Sequence, residues 1–209
     1  MRILIYLFDG VTALDAIGPY ESLSRLPGVE IRFVGIRPGP VRTGDGFLTL
    51  VADTGINDEI EADMLIVPGG RRSGVQRELG EDRVLGWMAV LDGVTTRTCS
   101  VCTGSLILGA AGLLEGRRAS THWGAREYLS HFNATYSADR VTEDGKYLTT
   151  AGVSAGIDLG LRLCAEIAGR EMAEAVQLSM EYDPDPPFDA GDFRKATPER
   201  LAMVAKLNI

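Results

Sequence analysis

The sequence predicts a doubly wound α/β fold of the flavodoxin-like kind, in which helices cover both faces of a mostly parallel sheet. Three observations predict it. Short apolar runs alternate with longer helical patterns, turn-forming residues separate them, and no repeat or low-complexity tract interrupts the alternation. In such sheets ligands bind beyond the carboxyl ends of the strands, so the residues that follow strands are the first candidates for a functional site.

The predicted strands are short apolar runs that end at turn signals. They cover residues 2–8, 29–36, 47–51, 64–70, 95–101, 118–121 and 146–151. The third strand belongs to a hairpin-like excursion, because proline and glycine residues surround it at Pro38, Pro40, Gly44 and Gly46.

The predicted helices follow the strands and carry apolar residues at helical spacing. They cover residues 16–26, 75–91, 103–114, 123–132, 154–169 and 197–207. Residues 183–189 form a proline-rich loop before the last helix. No interdomain linker is evident, so we expect one domain over residues 1–209.

Composition narrows the class of protein. Hydrophobic residues make up 45% and charged residues 24%, as in globular proteins, and the formal net charge of −8 disfavours nucleic acid as a partner. The first residues, MRILIYLF, predict a buried strand rather than a signal peptide. No apolar stretch approaches the ~20 residues of a membrane span. We therefore expect a cytoplasmic protein with no membrane partner.

The strongest local motif is TCSVCTGS, residues 98–105. A strand ends at Cys102 and a helix begins at once with Thr103 and Gly104, which is the layout of a nucleophile elbow, a tight turn that presents a reactive side chain. The adjoining helix amino terminus predicts a lowered thiol pKa. A buried structural cysteine is the alternative. We interpret Cys102 as the nucleophile.

Cys99 and Cys102 form a C-x-x-C pair, but a disulfide between them is not expected. Three residues of extended strand span roughly 10 Å, beyond the ~7 Å Cα limit for a disulfide. Cys99 and Cys164 are predicted to fill the core. The odd total of three cysteines agrees with the absence of a disulfide framework.

Asp15 and the pair Gly69-Gly70 also follow predicted strands. Asp15 has apolar neighbours, which favours a carboxyl group that exchanges protons with the thiol or substrate; the alternative is an N-cap for a helix beginning at Ala16. Gly69 and Gly70 allow a loop whose amides point at a ligand, as an oxyanion hole requires. A plain turn is the alternative for the glycines.

Two further positions stay open. His122 could serve as a base to Cys102 or as a hydrogen-bonded structural histidine. Gly152 could be a hinge before the helix at 154–169 or a turn glycine. His131 is expected at the surface. With two histidines and no cluster at ligand spacing, no metal site is expected.

Four segments together resemble the ThiJ/PfpI family, which shares its core with class I glutamine amidotransferases. The segments are LDAIGPYESL, IVPGG, SVCTGSLILGAAGLLEGRRASTHW and TAGVSAGIDLGLRL. Peptidase-like members have a histidine directly after the cysteine, where this sequence has Thr103. Amidotransferases need a distant His-Glu pair that is not found here. AraC-type regulators with similar motifs continue into a DNA-binding domain, so we expect an enzyme rather than a regulator.

Within the family, the strings CTGS, THW, SAGID and EYDPDPPFDAG are most similar to members that hydrate isocyanides. The resemblance implies Cys102 as nucleophile, Asp15 as general acid and base, and Thr103, Gly69 and Gly70 as groups that position the intermediate. It implies a small-molecule substrate, a homodimer, and no cofactor or metal. The alternatives are another cysteine-dependent hydrolase or glyoxalase-like enzyme, and a sensor whose thiol is oxidised or alkylated.

Overall fold

The structure is a computed structural model that describes residues 1–59 and 61–207. Its main sheet, within those residues, has seven strands in the order β10-β11-β7-β6-β1-β2-β5. The strands are β1 (Arg2–Tyr6), β2 (Glu30–Gly35), β5 (Thr54–Gly55), β6 (Met64–Val67), β7 (Arg97–Ser100), β10 (Val141–Asp144) and β11 (Tyr147–Thr150). Neighbouring strands are parallel except β10 and β11, which form an antiparallel edge.

The order of the central strands confirms the flavodoxin-like α/β fold. The run β2-β1-β6-β7-β11 reproduces the order 2-1-3-4-5 of that fold, in which the chain switches direction between the first and third strands. Here the switch lies between β1 and β6. Because these strands are parallel, the residues that follow β1, β6, β7 and β11 meet at one edge of the sheet.

Helices pack around the sheet in two groups. The α-helices are α1 (Ala13–Leu23), α2 (Arg72–Glu78), α3 (Asp82–Asp92), α4 (Gly104–Ala110), α5 (Ala155–Ala168), α6 (Arg170–Ser179) and α7 (Pro198–Ala205). Helix α1 packs against α5, and α4 contacts α2 and α3. All four residues of β6 are buried, as expected of a strand covered on both faces.

Two small sheets complete the fold. The predicted hairpin-like excursion is confirmed as β3 (Gly39–Arg42) paired antiparallel with β4 (Thr49–Ala52). The strand predicted at 118–121 is shorter, β8 (Arg118–Ala119), and pairs in parallel with β9 (Thr135–Tyr136) outside the main sheet.

Several predicted helices differ from the observed ones. The helix predicted over 75–91 is two helices, α2 and α3, which are separated near Gly80. The segment Trp123–Phe132 is a 3-10 helix rather than an α-helix. The first helix begins at Ala13, three residues earlier than predicted, with Thr12 at its N-cap position. None of the helices in the described ranges is long and apolar enough to cross a membrane.

Candidate active site

Four strand ends converge on Cys102. Asp15 lies in the first turn of α1 after β1, Gly69 follows β6, Cys102 follows β7, and residues 151–153 follow β11. The sheet therefore brings together the cysteine, the carboxyl group and the glycine loop that the sequence placed after strands. The segment after β11, which contains Gly152, lies at the same edge, as expected for the residues before the helix predicted at 154–169.

The elbow at Cys102 is a strained turn with identifiable restraints. The φ angle of Cys102 is +57°, a left-handed conformation that costs a non-glycine residue about 1–2 kcal/mol. Its amide donates to the Ala151 carbonyl at 3.0 Å. Its carbonyl accepts hydroxyl hydrogen bonds from Thr121 Oγ1 at 3.2 Å and Ser105 Oγ at 3.3 Å. These contacts hold the thiol at the carboxyl edge of the sheet.

Gly104 is required where the elbow meets the sheet. A Cβ atom at this position would overlap the carbonyl oxygen of Val67, at the end of β6. The amide of Gly104 donates to the Val101 carbonyl at 3.0 Å and closes the turn. The glycine two residues after the cysteine therefore allows α4 to begin against the backbone of β6, as the elbow motif predicted.

Asp15 is fully buried beside the elbow. Its Oδ2 accepts a hydrogen bond from the Gly69 amide at 3.0 Å, and its carboxyl group also interacts with the Cys102 thiol. Oδ1 lacks a partner of ordinary hydrogen-bond geometry within the described part of the chain. Burial raises the pKa of Asp15 to about 7, and the hydrogen bonds from Gly69 and Cys102 oppose that rise.

The N-cap interpretation of Asp15 is wrong. Asp15 lies in the first turn of α1, whereas Thr12 occupies the N-cap position. The helix begins three residues earlier than the pattern predicted, so Ala13, Leu14 and Asp15 all lie within it. The side chain of Asp15 consequently points to the sheet edge rather than back at the helix amides.

The predicted lowering of the Cys102 pKa is also wrong. Burial, followed by the charge of Asp15, raises the pKa of the thiol to about 12. The amide of Val153 and the amide and hydroxyl of Thr103 oppose this rise by hydrogen bonding to sulfur. Desolvation therefore outweighs the helix amino terminus. Between about pH 7 and about pH 12, the Asp15 and Cys102 side chains together therefore hold one proton.

Gly69 and Gly70 support the site without presenting free amides to it. The Gly69 amide donates to Asp15, and the Gly70 amide donates to Thr103 Oγ1 at 3.1 Å. The predicted oxyanion role of these two amides is therefore wrong in this structure, because both are occupied. A Cβ atom on Gly69 would lie 2.5 Å from the Thr103 amide nitrogen, so glycine is needed for close approach.

The other two cysteines have no comparable surroundings. Cys99 lies within β7 and Cys164 within α5; both are completely buried, and all three cysteines are free thiols. Cys164 Sγ donates to the Ser22 carbonyl at 3.6 Å. The structure confirms that these two cysteines belong to the core and that Cys99 and Cys102 form no disulfide.

His122 lies beside the site and contacts Gly152 rather than the thiol. Its Nδ1 accepts from the Gly124 amide at 3.2 Å, and burial lowers the pKa of the imidazole. A Cβ atom on Gly152 would lie 2.6 Å from His122 Cδ2. Gly152 is thus explained by close ring packing, and no hydrogen bond joins His122 to Cys102 among the described residues.

Four residues that contact Cys102 were not predicted from the sequence. The Ala151 carbonyl accepts from the Cys102 amide. Thr121 and Ser105 bind the carbonyl of the same cysteine, and the Val153 amide binds its sulfur. Val153 has a φ of +25°, which a β-branched residue rarely adopts, and no sequence pattern predicts this. Ser105 follows the elbow directly, so its contact could have been inferred from the motif; the contact of Thr121 arises from tertiary packing.

Comparison with known proteins agrees with this architecture. The chain is 41% identical over 191 residues to isonitrile hydratase from Pseudomonas putida, covering 91% of this chain and 82% of that protein. It is 32% identical over 149 residues to the HTH-type transcriptional regulator CdhR from Pseudomonas aeruginosa, covering 69% of this chain and 42% of the regulator.

A solved structure gives the same result for the fold. The crystal structure of a ThiJ/PfpI family protein from Pseudomonas syringae superposes with a TM-score of 0.94 at 37% identity, covering 99% of this chain and 85% of that one. The sequence pattern of the DJ-1/PfpI family matches residues 1–166. These matches, which agree with the elbow at Cys102, the neighbouring Asp15 carboxyl group and the strand order, show that the chain belongs to the DJ-1/PfpI family.

Proposed function

We propose that this protein is an isocyanide hydratase, which adds water to an isocyanide to give an N-substituted formamide. The observation that carries the proposal is the buried Asp15 carboxyl group, with a pKa near 7, paired with the thiol of Cys102. Hydration of an isocyanide needs a nucleophile for the terminal carbon and a proton for the same carbon. The pair can supply both.

The first step forms a thioimidate. Asp15 takes the proton of the Cys102 thiol, and the thiolate sulfur attacks the terminal carbon of the isocyanide. Asp15 returns this proton to the carbon as negative charge develops there, which leaves R–N=CH–S–Cys102 and an ionised carboxylate. The Thr103 hydroxyl and the amides of Thr103 and Val153, which bond to the sulfur, stabilise its negative charge before attack.

The second step releases the product. Water adds its hydroxyl to the thioimidate carbon with help from the Asp15 carboxylate, and the imine nitrogen gains a proton. Collapse of the carbinol expels the Cys102 thiolate, returns a proton to Asp15 and leaves R–NH–CHO. The sum is one isocyanide plus one water giving one formamide. No step uses a cofactor or metal.

The similarity to isonitrile hydratase supports the reaction class, since isonitrile is another name for isocyanide. The chain is also similar to a transcriptional regulator, so similarity to known proteins alone does not select this reaction. Gly69 and Gly70 enter the proposal as residues that position Asp15 and Thr103. A cytoplasmic location, a homodimer and a single domain remain predictions.

Turnover tests the proposal. Purified protein is incubated with excess cyclohexyl isocyanide, and N-cyclohexylformamide is measured over time beside the Cys102→Ser variant. We expect many turnovers per protein chain and none above background in the variant. Reaction of a single equivalent would indicate a thiol sensor instead. Consumption of methylglyoxal without isocyanide turnover would indicate a glyoxalase-like enzyme.

A further inference from the structure

A cavity of about 540 Å³ adjoins the elbow, a size within the range of small-molecule sites, which is about 300–1,000 Å³. Three of its lining residues contact Cys102. The Ala151 carbonyl accepts from the Cys102 amide, Thr121 Oγ1 donates to the Cys102 carbonyl, and the Val153 amide bonds to the sulfur. The inner wall of the cavity is therefore built from residues that touch the nucleophile.

The outer wall of the cavity is aromatic. Trp123 and Phe193 stack with ring centroids 5.8 Å apart and planes inclined by 12°. The guanidinium of Arg126 lies 5.5 Å from the centre of the Phe193 ring. His122 lies next to Trp123, with ring centroids 5.4 Å apart. The contacts with Trp123 and Arg126 hold Phe193 in the lining of the cavity.

The charged side chains that line the cavity are paired. Arg140 Nε lies 2.6 Å from Asp158 Oδ2, and Arg194 binds Asp192 at 2.7 Å. Burial lowers the pKa of His122, so its ring is neutral at neutral pH. A cavity with aromatic walls and no uncompensated charge favours an uncharged, apolar ligand over an anion or a cation.

Phe193 reaches the cavity from the carboxyl-terminal part of the chain. Residues 183–191 are exposed, and the 3-10 helix Phe193–Lys195 follows them, with Asp192 Oδ1 accepting from the Arg194 amide at 2.9 Å. Phe188, in the exposed stretch, is 77% exposed, whereas Phe193 is half-buried against Trp123. One phenylalanine of this segment therefore contributes to the cavity and the other does not.

We propose that this cavity holds the N-substituent of the isocyanide as an uncharged apolar group, and that Phe193 is the wall that sets which substituents are accepted. The inference rests on the proposed function and names the substrate class of that site. The isocyano carbon reaches Cys102, and the substituent extends past Val153 and Gly152 towards the stacked rings of Trp123 and Phe193.

Kinetics with two substrates test the role of Phe193. Phe193→Ala removes the outer wall, so kcat/KM for cyclohexyl isocyanide should fall about tenfold, while methyl isocyanide, which does not reach the wall, should change by less than about threefold. Phe188→Ala is the matched control and should change neither value. Equal losses on both substrates, or no loss on either, would overturn the inference.

Binding separates failure of the inference from failure of the proposed function. The sequence has two tryptophans, so in Trp87→Phe the fluorescence reports Trp123. N-cyclohexylformamide should change this fluorescence saturably, with a dissociation constant at least about fivefold weaker when Phe193→Ala is added. A saturable response without isocyanide turnover would overturn only the function. Isocyanide turnover without a fluorescence response, together with an unchanged substrate preference in Phe193→Ala, would overturn only the cavity assignment.

Discussion

Strand β7 carries Cys99, and the turn that follows it carries Cys102 three residues later. The two thiols are similar in burial and in pKa, although only Cys102 is proposed as the nucleophile. Both are buried, and burial raises the pKa of each to about 12. Cys99 has extended backbone within a regular strand, whereas Cys102 has a φ of +57° and faces a buried carboxyl group. Burial and pKa therefore do not distinguish Cys102, the proposed nucleophile, from Cys99; backbone geometry and the neighbouring carboxyl group do.

The largest expected effect comes from exchanging the nucleophile. Cys102→Ser keeps the volume of the side chain but replaces the thiol with a far weaker nucleophile, so isocyanide turnover should fall by about 10⁴-fold. Initial rates of formamide production measure the loss.

Cys99→Ala is the matched control on the same strand. It should keep turnover within about twofold and lower the free energy of unfolding by about 1 kcal/mol, as loss of a small buried group does. If Cys99→Ala abolished turnover while Cys102→Ser retained it, the contrast between the two cysteines would be reversed.

Removing the carboxyl partner should have the next largest effect. Asp15→Asn keeps the shape and the acceptor for the Gly69 amide but cannot transfer a proton, so kcat should fall by roughly a hundredfold. Ser22→Ala, which removes another fully buried polar group from α1, is the control and should leave kcat within about twofold. Normal turnover in Asp15→Asn would remove the carboxyl group from the chemistry.

Releasing the strained turn should have a smaller effect. Thr121→Val removes the hydroxyl that donates to the Cys102 carbonyl, a hydrogen bond worth about 1 kcal/mol, so kcat and the rate of Cys102 alkylation should both fall about fivefold. Ser120→Ala is the control, since its hydroxyl bonds to Asp139 and Thr142 instead. If both variants lost stability equally and neither changed alkylation, Thr121 would be a structural residue only.

The smallest expected effect is on the pH dependence of folding stability. The folded-state pKa of Asp15 is raised from 3.8 to about 7, so the folded protein binds this proton more tightly than the unfolded chain does. Asp15 therefore favours folding below about pH 4, and this contribution is lost as pH rises through about 7. The Tm of Asp15→Asn should increase relative to the Tm of the wild type as pH rises from about 5 to about 8. A constant difference in Tm would contradict the raised pKa.

The fold and the centre of the candidate site can be predicted from the sequence because both depend on local patterns. The alternating elements predict the sheet, and TCSVCTGS predicts an abrupt turn that Gly104 makes sterically possible. Asp15 is a candidate from the sequence because a charge between apolar residues at a strand end is unusual. These features can be read within a few residues of each position.

The rest of the site depends on contacts between distant segments. The Val153 amide reaches the sulfur through a left-handed backbone that valine does not favour, and Thr121 reaches the Cys102 carbonyl from 19 residues away. The prediction of a lowered Cys102 pKa is wrong for the same reason. The helix amino terminus is visible in the sequence, whereas the extent of burial, which outweighs it, is a property of the packed domain.

The proton shared by Cys102 and Asp15 is tested most directly by the pH dependence of Cys102 alkylation. Iodoacetamide is applied to Cys99→Ala/Cys164→Ala protein with and without Asp15→Asn, from about pH 5 to about pH 10, and adduct formation is followed by mass spectrometry. With Asp15 present, the rate should rise through about pH 7, where the pair loses its first proton, and then level off. Asp15→Asn should lack that step, and the same step in both proteins would contradict the shared proton.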